Sequence, residues 1–269
     1  MTRPAPILVL ALAALVAGCA STTKPGAVGA DRSQLLLVSS ESLNRTAAQQ
    51  YATLTSRAAQ KGALNQDPAQ TQRVKAISAR LVPQTVVFRD DALAWKWETN
   101  VLTSKEVNAW CMPGGKIAVY TGLIEKINPT DDELAAVMGH EIAHALREHS
   151  RERVSQEVAK SAVIGIGAAA LGLGQAGADL GNMLAQVTFT LPFSREHERE
   201  ADRIGVELAA RAGYDPRAAI TLWEKMAKLG GGSVEILSTH PAPESRIADL
   251  KVYAAKVMPL YEAAKAQRP

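Results

Sequence analysis

The sequence predicts an α+β fold that is mainly helical, with a small antiparallel sheet and an edge hairpin packed beside one buried helix. After Asn128 the apolar residues recur at intervals of three and four, which is the period of an amphipathic helix. Between residues 84 and 121 the period falls to two, as at Trp95 and Trp97, which is typical of a half-buried strand. The run Pro113-Gly114-Gly115 then separates two short apolar segments and indicates a hairpin turn.

The elements follow in order from residue 42, where a helical pattern begins that continues to residue 81 with an interruption near Asp67-Pro68, the expected N-cap and first position of a second helix. Residues 85–88 are rich in β-branched side chains and predict a first strand. Thr130 and Glu133 form a capping-box pattern, so we expect a helix from there to about Lys160. Three more helices are expected over residues 194–212, 216–229 and 243–257. We therefore expect one domain over residues 42–258 and a C-terminal tail over 259–269.

The first residues have the pattern of a secretory leader. Arg3 precedes an apolar stretch over residues 7–16 that is too short to span a bilayer. Val16-Ala17-Gly18-Cys19 resembles a bacterial lipobox, in which Cys19 is lipidated after removal of residues 1–18. An ordinary signal peptide with a chance cysteine is the alternative. Ala20 follows the cysteine instead of Asp, so we expect a periplasmic protein anchored at the outer membrane, with residues 19–41 as a lipidated tether.

A second apolar stretch needs a separate interpretation. Residues 161–178 carry no charge, and their length would allow a membrane span. Glycines are spread through the stretch and Gln175 interrupts it, so its hydrophobicity is modest. We interpret it as a mobile, glycine-rich helical lid or a lipid-facing patch.

Composition excludes several classes of function. Hydrophobic residues make up 47% of the 269-residue chain, which is enough for a buried core. The formal net charge of +3 is too small to predict a nucleic-acid partner. Once Cys19 is lipidated, Cys111 has no partner, so no disulfide framework is expected and we interpret Cys111 as a buried thiol.

One short motif indicates metal chemistry. His140-Glu141-Ile142-Ala143-His144 places two imidazoles four residues apart, so on a helix both project from one face and reach one metal ion. Glu141 lies about 100° round the helix from His140, where a general base can take a proton from water at the metal. The pattern also occurs by chance on exposed helices, but the flanking apolar residues predict a buried helix here.

A second segment supplies acidic residues at helical spacing. In the run of residues 194–202, Glu198 and Asp202 stand four residues apart. A carboxylate on this helix can complete a zinc site of two histidines and one glutamate. A second carboxylate one turn later can accept the far N–H of a ligand histidine, which is the role we predict for Asp202. Alone, the run would be a solvated helix face.

Together with Thr239-His240-Pro241 and the hairpin, these motifs make the sequence similar to the periplasmic and membrane metallopeptidases related to HtpX and the CAAX-prenyl protease. The lipoprotein branch that includes BepA, LoiP and YcaL is the most similar. The resemblance covers about residues 70–250 and implies a zincin-type (gluzincin) metalloprotease domain with one Zn²⁺ per chain. It implies that Glu198, not Glu196 or Glu200, is the third metal ligand.

The same resemblance makes His240 a candidate fourth ligand that occupies the position meant for water, so that the resting enzyme is latched. A loop residue without a metal role is the alternative. Residues 230–232 would be the hinge for opening. Arg246 lies one or two turns beyond His240, where we expect it to stabilise an oxyanion or to anchor the loop.

We expect a zinc endopeptidase that cleaves misfolded or unassembled envelope proteins in outer-membrane quality control, with Glu141 as general base. The substrate would add a strand along the hairpin edge at Asn108, Ala109 and Trp110. Expected partners are protein or peptide substrates, the membrane and the outer-membrane assembly machinery. A chaperone or assembly factor with little proteolysis, or a peptidoglycan-directed zinc hydrolase, is the alternative. His149, half a turn off the metal face of a continuous helix, and His197 are expected to be structural.

Overall fold

The computed structural model describes residues 19–170, 180–229, 235–241 and 244–267. The predicted signal peptide, the end of the predicted lid from residue 171 and the predicted hinge at residues 230–232 lie outside the described residues. Among the helices that are described, none combines the length and the hydrophobicity needed to cross a membrane.

The fold is mainly helical, as the sequence predicts. The described helices are α1 Ser40–Gln60, α2 Pro68–Leu81, α3 Thr121–Ile127, α4 Asp131–Leu146, α5 His149–Ala170, α6 Leu180–Phe189, α7 Arg195–Arg211, α8 Ala218–Lys228, α9 Ile236–Thr239 and α10 Glu244–Ala266. We call α4 the motif helix and α7 the carboxylate helix. Almost every residue of the motif helix is buried, so it forms the centre of the domain.

Three strands form the sheet beside the motif helix: β3 Glu98–Leu102, β4 Ala109–Met112 and β5 Lys116–Tyr120, in the order β3-β5-β4. The predicted hairpin is confirmed, because β4 and β5 pair antiparallel around residues 113–115. The sheet differs from the predicted antiparallel arrangement in one pair of strands. β5 inserts between β3 and β4, so β3 and β5 run parallel.

The predicted strand at residues 85–88 is wrong, because Val82–Val87 is a 3₁₀ helix. Pro83 lies in the first turn of this helix, where its missing N–H removes no helix hydrogen bond. The hydroxyl of Thr85 donates to the carbonyl of Val82 at 2.7 Å and so satisfies this turn locally.

The motif helix begins as predicted but ends earlier. Thr130 and Glu133 exchange both bonds of a capping box at its start. The prediction of one helix to about Lys160 is wrong, since the motif helix ends at Leu146 and α5 begins at His149. Glu148 between them has a φ of 50°, which is uncommon for a non-glycine residue. Arg151 donates to its carboxylate at 2.6 Å.

Two glycines let the motif helix and the carboxylate helix approach backbone to backbone. A Cβ on Gly205 would lie 2.8 Å from the backbone nitrogen of His140, and one on Gly139 would lie 2.9 Å from the carbonyl oxygen of Gly205. No side chain fits at these distances. The contact therefore brings the first histidine of the motif directly against the helix that carries Glu198 and Asp202.

The predicted tether over residues 19–41 is wrong as a structural description. Residues 19–38, here called the N-terminal segment, pack on the domain, with β1 Cys19–Ala20 paired to β2 Gln34–Leu35. Val28 and Ala30 belong to the hydrophobic core. Short polar side chains suggested a linker, but they serve instead as partners of buried groups. Lipidation of Cys19 stays a prediction.

The predicted C-terminal tail is also wrong. Helix α10 continues to Ala266 with Pro259 inside it. Leu260 and Tyr261, both beyond the predicted boundary at residue 258, pack against the core. Burial of these two side chains offsets the helix hydrogen bond that a proline removes.

Candidate metal centre

The structure brings four predicted ligands together. His140 and His144 on the motif helix, Glu198 on the carboxylate helix and His240 after α9 offer ligand atoms that all lie within 4.8 Å of one another, and all four are buried. The Nε2 atoms of His140 and His144 are 3.1 Å apart. The oxygens of Glu198 lie 3.5 Å and 3.4 Å from these two nitrogens.

The crowding of these nitrogens fits a cation. The Nε2 of His140 faces both the Nε2 of His144 and, at 3.3 Å, the Nδ1 of His240. Neutral imidazoles would point lone pairs at one another here, and a cation between them removes that repulsion. Imidazole nitrogens with one carboxylate are the donor set of catalytic zinc sites.

The ionisation of Glu198 and His144 also suits a metal. Burial alone would raise the pKa of Glu198, but His240, His144 and Arg246 outweigh it and hold that pKa well below its ordinary value. Burial lowers the pKa of His144 well below its ordinary value. An ionised carboxylate and a neutral imidazole are the forms that bind metal ions.

Glu141 lies beside the cluster with a free oxygen. Its Oε1 has no hydrogen-bond partner within the described part of the chain and lies 3.7 Å from the Nε2 of His240. Burial raises the pKa of Glu141, which makes its carboxylate a stronger base. Glu141, His144 and His240 line a cavity of about 20 Å³, which is room for about one water molecule.

Asp202 and Arg246 form the support of His140. The Nδ1 of His140 lies 3.0 Å from Oδ1 of Asp202, as predicted for a ligand whose far nitrogen donates to a carboxylate. Arg246 donates to both oxygens of Asp202, at 2.6 Å and 2.8 Å. It also pairs with Glu198 at 2.7 Å and donates to the carbonyl of Pro241 at 3.0 Å. This geometry fits the anchoring role, since carboxylates already engage the guanidinium.

The strand residues predicted to bind substrate lie next to the cluster. Ala109 and Trp110 belong to β4, which is an edge of the sheet and packs against the motif helix. Asn108, Ala109 and Trp110 line the same cavity as Glu141. Phe189 of α6 packs on Trp110 with ring centroids 5.3 Å apart. The strand edge is therefore close enough to position a substrate, and α6 covers part of it.

His149 and His197 lie outside the four-ligand cluster, as expected. The structure nevertheless places the Nδ1 of His149 2.9 Å from the Nδ1 of His144. Sequence reasoning missed this contact because it assumed one continuous helix through residue 149. No local signal marks the break, since Glu148 takes a conformation that usually belongs to glycine or asparagine.

Cys111 is a buried free thiol, in agreement with the prediction. Burial raises its pKa well above the ordinary value, so the thiol stays protonated at neutral pH. A protonated thiol is a poor nucleophile, which leaves the acidic and imidazole groups as the reactive set.

The fold and the cluster together define a class of protein: a mainly helical, zincin-type metallopeptidase domain with a buried histidine–glutamate site. The chain belongs to Peptidase family M48, whose model matches residues 68–254.

Curated relatives agree with this family. The chain is 42% identical over 151 residues to the mitochondrial metalloendopeptidase OMA1 of Arabidopsis thaliana, which is 56% of this chain and 30% of that protein. It is 40% identical over 159 residues to the OMA1 protein of Schizosaccharomyces pombe, covering 58% of this chain and 46% of that protein. It is 30% identical over 204 residues to the beta-barrel assembly-enhancing protease of Escherichia coli, covering 72% of this chain and 41% of that protein.

The chain thus spans less than half the length of these relatives. The match confirms the metallopeptidase family that the motifs predict. The lipoprotein branch stays a prediction, because relatives of higher identity are named as mitochondrial proteins.

Proposed function

We propose that this protein is a zinc-dependent endopeptidase, with one Zn²⁺ held by His140, His144 and Glu198. The observation that supports it best is the meeting of a low-pKa carboxylate and a neutral imidazole beside Glu141, whose Oε1 accepts no hydrogen bond from the described residues. A zinc ion held there would supply an electrophile for a peptide carbonyl and would acidify water.

The chain's own residues supply the rest of the chemistry. Glu141, with its raised pKa, takes a proton from the attacking water and passes it to the leaving amine. Asp202 keeps the proton of His140 on Nδ1, so that Nε2 presents a lone pair to the cluster. The substrate adds as an extended strand beside Asn108, Ala109 and Trp110.

We further propose that His240 is a fourth ligand that keeps the resting enzyme closed. One of its ring nitrogens lies within 4.8 Å of the ligand atoms of the other three residues. Phe193 stacks on this ring with centroids 5.1 Å apart, and the backbone nitrogen of Phe193 donates to the carbonyl of Thr239 at 2.8 Å. These contacts hold the imidazole over the site, so substrate entry requires that residues 239–241 move.

For the cellular role we propose cleavage of misfolded or unassembled envelope proteins, with the enzyme anchored through Cys19 at the outer membrane. The lipobox-like residues 16–19 and the similarity to a beta-barrel assembly-enhancing protease support this role. An interaction with the outer-membrane assembly machinery belongs to the same proposal.

The test is zinc content and cleavage of casein by the purified protein and by Glu141→Gln. We expect one zinc per chain in both proteins, chelator-sensitive cleavage in the wild type and a loss of at least about 100-fold in the variant, since general-base catalysis contributes about that much. Glu196→Gln, at an exposed position of the carboxylate helix, is the matched control. Absence of zinc from wild-type protein never exposed to chelator would contradict the proposal.

His240→Ala tests the latch separately. Removal of the fourth ligand should raise basal cleavage while zinc content stays at one per chain. Unchanged or lower cleavage, with zinc retained, would refute the latch and leave the peptidase assignment intact.

A further inference from the structure

The two ring nitrogens of His144 face different surroundings. The Nε2 faces the ligand cluster, and the Nδ1 faces the Nδ1 of His149 at 2.9 Å. A metal-binding nitrogen needs a lone pair, so a ligating Nε2 requires that the proton of His144 sits on Nδ1. The Nδ1 of His149 must then accept that proton in a hydrogen bond.

The next contact fixes the proton of His149 in turn. Its Nε2 lies 3.1 Å from Oε2 of Glu200. An ionised carboxylate only accepts, so this Nε2 carries the hydrogen and the Nδ1 of His149 is left with a lone pair. The two contacts therefore select one tautomer of His149, and that tautomer selects the metal-binding tautomer of His144.

Two arginines hold Glu200 in place. Arg147 donates to Oε1 at 2.7 Å and Arg32 donates to Oε2 at 3.1 Å. Arg32 also donates two bonds to Glu152, of 2.8 Å and 2.9 Å, and this bidentate pair restricts the motion of its guanidinium. Arg147 is fully buried, whereas Arg32 comes from the N-terminal segment and is 34% exposed.

We propose that His149 and Glu200 are positioning residues that fix the tautomer and orientation of His144, and that Arg32 of the N-terminal segment locks them in place. The inference rests on the proposed function, because it takes His144 as a metal ligand. Its consequence is that metal affinity depends on a segment that begins at Cys19, where the sequence predicts the membrane anchor.

The first experiment measures the dissociation constant for Zn²⁺ of the full chain by competition with a chelator. His149→Phe keeps the ring volume but removes the acceptor, and Glu200→Gln weakens the acceptor for His149. We expect both variants to bind Zn²⁺ 10–100-fold more weakly, the usual effect of losing such an outer partner of a metal ligand. His149→Asn places an amide oxygen near the former Nδ1, so it should restore affinity to within about threefold of wild type.

The second experiment tests the N-terminal lock. Arg32→Gln should weaken zinc binding by about threefold to tenfold, because Glu200 keeps Arg147 but loses its second partner. Lys24→Gln is the matched control. Lys24 also lies on the N-terminal segment, but it pairs with Asp90 at the surface and the structure gives it no contact with Glu200. It should leave the zinc affinity unchanged.

A spectroscopic readout separates positioning from folding. The ¹⁵N shifts of the His144 ring should show the Nδ1–H form with Zn²⁺ bound in the wild type and a loss of that single form in His149→Phe. If His149→Phe fails to fold, Glu200→Gln and Arg32→Gln decide. Wild-type zinc affinity in the folded His149→Phe and Glu200→Gln variants would overturn this inference alone. Failure of the wild type to bind Zn²⁺ would instead overturn the proposed function.

Discussion

The two histidines of the motif helix are supported in different ways. The Nδ1 of His140 meets the carboxylate of Asp202 directly at 3.0 Å. The Nδ1 of His144 meets the ring of His149 at 2.9 Å, and the carboxylate of Glu200 follows 3.1 Å beyond that ring. Each of these two carboxylates in turn forms an ion pair with arginine. A carboxylate thus supports both histidines, directly for His140 and through the imidazole of His149 for His144.

The two supports also differ in which segments supply them. Asp202 lies one turn after Glu198 on the carboxylate helix, and Arg246 contacts both of these carboxylates. A substitution of Arg246 would therefore remove a direct contact of the predicted ligand Glu198. The support of His144 takes Arg32 from the N-terminal segment. Within the described part of the chain, the side chain of Arg32 donates to Glu152, Glu200 and the carbonyl of Ser33, and to none of the four predicted ligands. The difference shows that one histidine is held by neighbours of the cluster, and the other through a part of the chain far away in sequence.

The largest expected effect comes from removal of the buried arginines. Arg147→Ala leaves Glu200 without its shorter ion pair, and Arg246→Ala leaves Asp202 without its arginine, so that only His140 still contacts it. Each should lower the free energy of unfolding by ~3–5 kcal/mol, the cost of an uncompensated buried charge, measured by urea unfolding without metal. Arg217→Ala, an exposed pair partner of Asp215, should leave it nearly unchanged. If Arg246→Ala lowered the free energy of unfolding and Arg147→Ala did not, the support of His144 through Glu200 would contribute no stability.

A smaller effect concerns acid stability through Glu152, which binds Arg32. Burial alone would raise its pKa, but hydrogen bonds from His197, Arg32 and Gln34 outweigh it and lower the pKa to about 2. A depressed pKa adds stability that is complete above the unfolded value near 4.5 and is lost as pH falls towards about 2. The shift corresponds to ~3 kcal/mol.

Glu152→Gln should therefore flatten the loss of stability between about pH 4.5 and pH 2, as measured by thermal unfolding at several pH values. Glu157→Gln, at a more exposed position of the same helix, is the control and should keep the wild-type slope. If the Glu152 variant kept the full acid slope, other carboxylates would account for the acid sensitivity.

The smallest effect compares the two supports on the metal itself. Asp202→Asn removes a carboxylate that touches a ligand directly and should weaken Zn²⁺ binding 10–100-fold, or about 1.4–2.7 kcal/mol. Glu200→Gln should fall at the lower end of that range, because the ring of His149 stands between. Asp249→Asn, on the surface, should have no effect. A larger loss in Glu200→Gln than in Asp202→Asn would reverse the comparison.

Much of the site follows from local spacing. Residues four apart on a helix share a face, so the pairing of His140 with His144 and of Glu198 with Asp202 is readable from the sequence. The capping box at Thr130 and the hairpin at residues 113–115 are local in the same way. Predictions of this kind depend on a few neighbouring residues and on little else.

The prediction of a tether at the N-terminal segment is wrong because the structure there depends on residues distant in sequence. The segment's small polar residues are typical of a linker, but Thr23 and Gln34 are buried against Arg147. Their burial is favourable only because a fully buried guanidinium and backbone carbonyl need partners. The group that needs these partners, Arg147, lies more than a hundred positions away, so a local sequence pattern does not reveal the contact.

By itself, the sequence determined which residue types meet at the cluster, where the motif helix begins and where the hairpin turns, because helix spacing and turn chemistry act over a few residues. Only the tertiary structure decided that His149 reaches His144, that His240 lies beside the other three predicted ligands and that Arg32 holds Glu200. The first depends on the positive φ of Glu148, whose carboxylate pairs with the distant Arg89 as well as with the nearby Arg151. The others depend on buried polar groups that find their partners across distant segments of the chain.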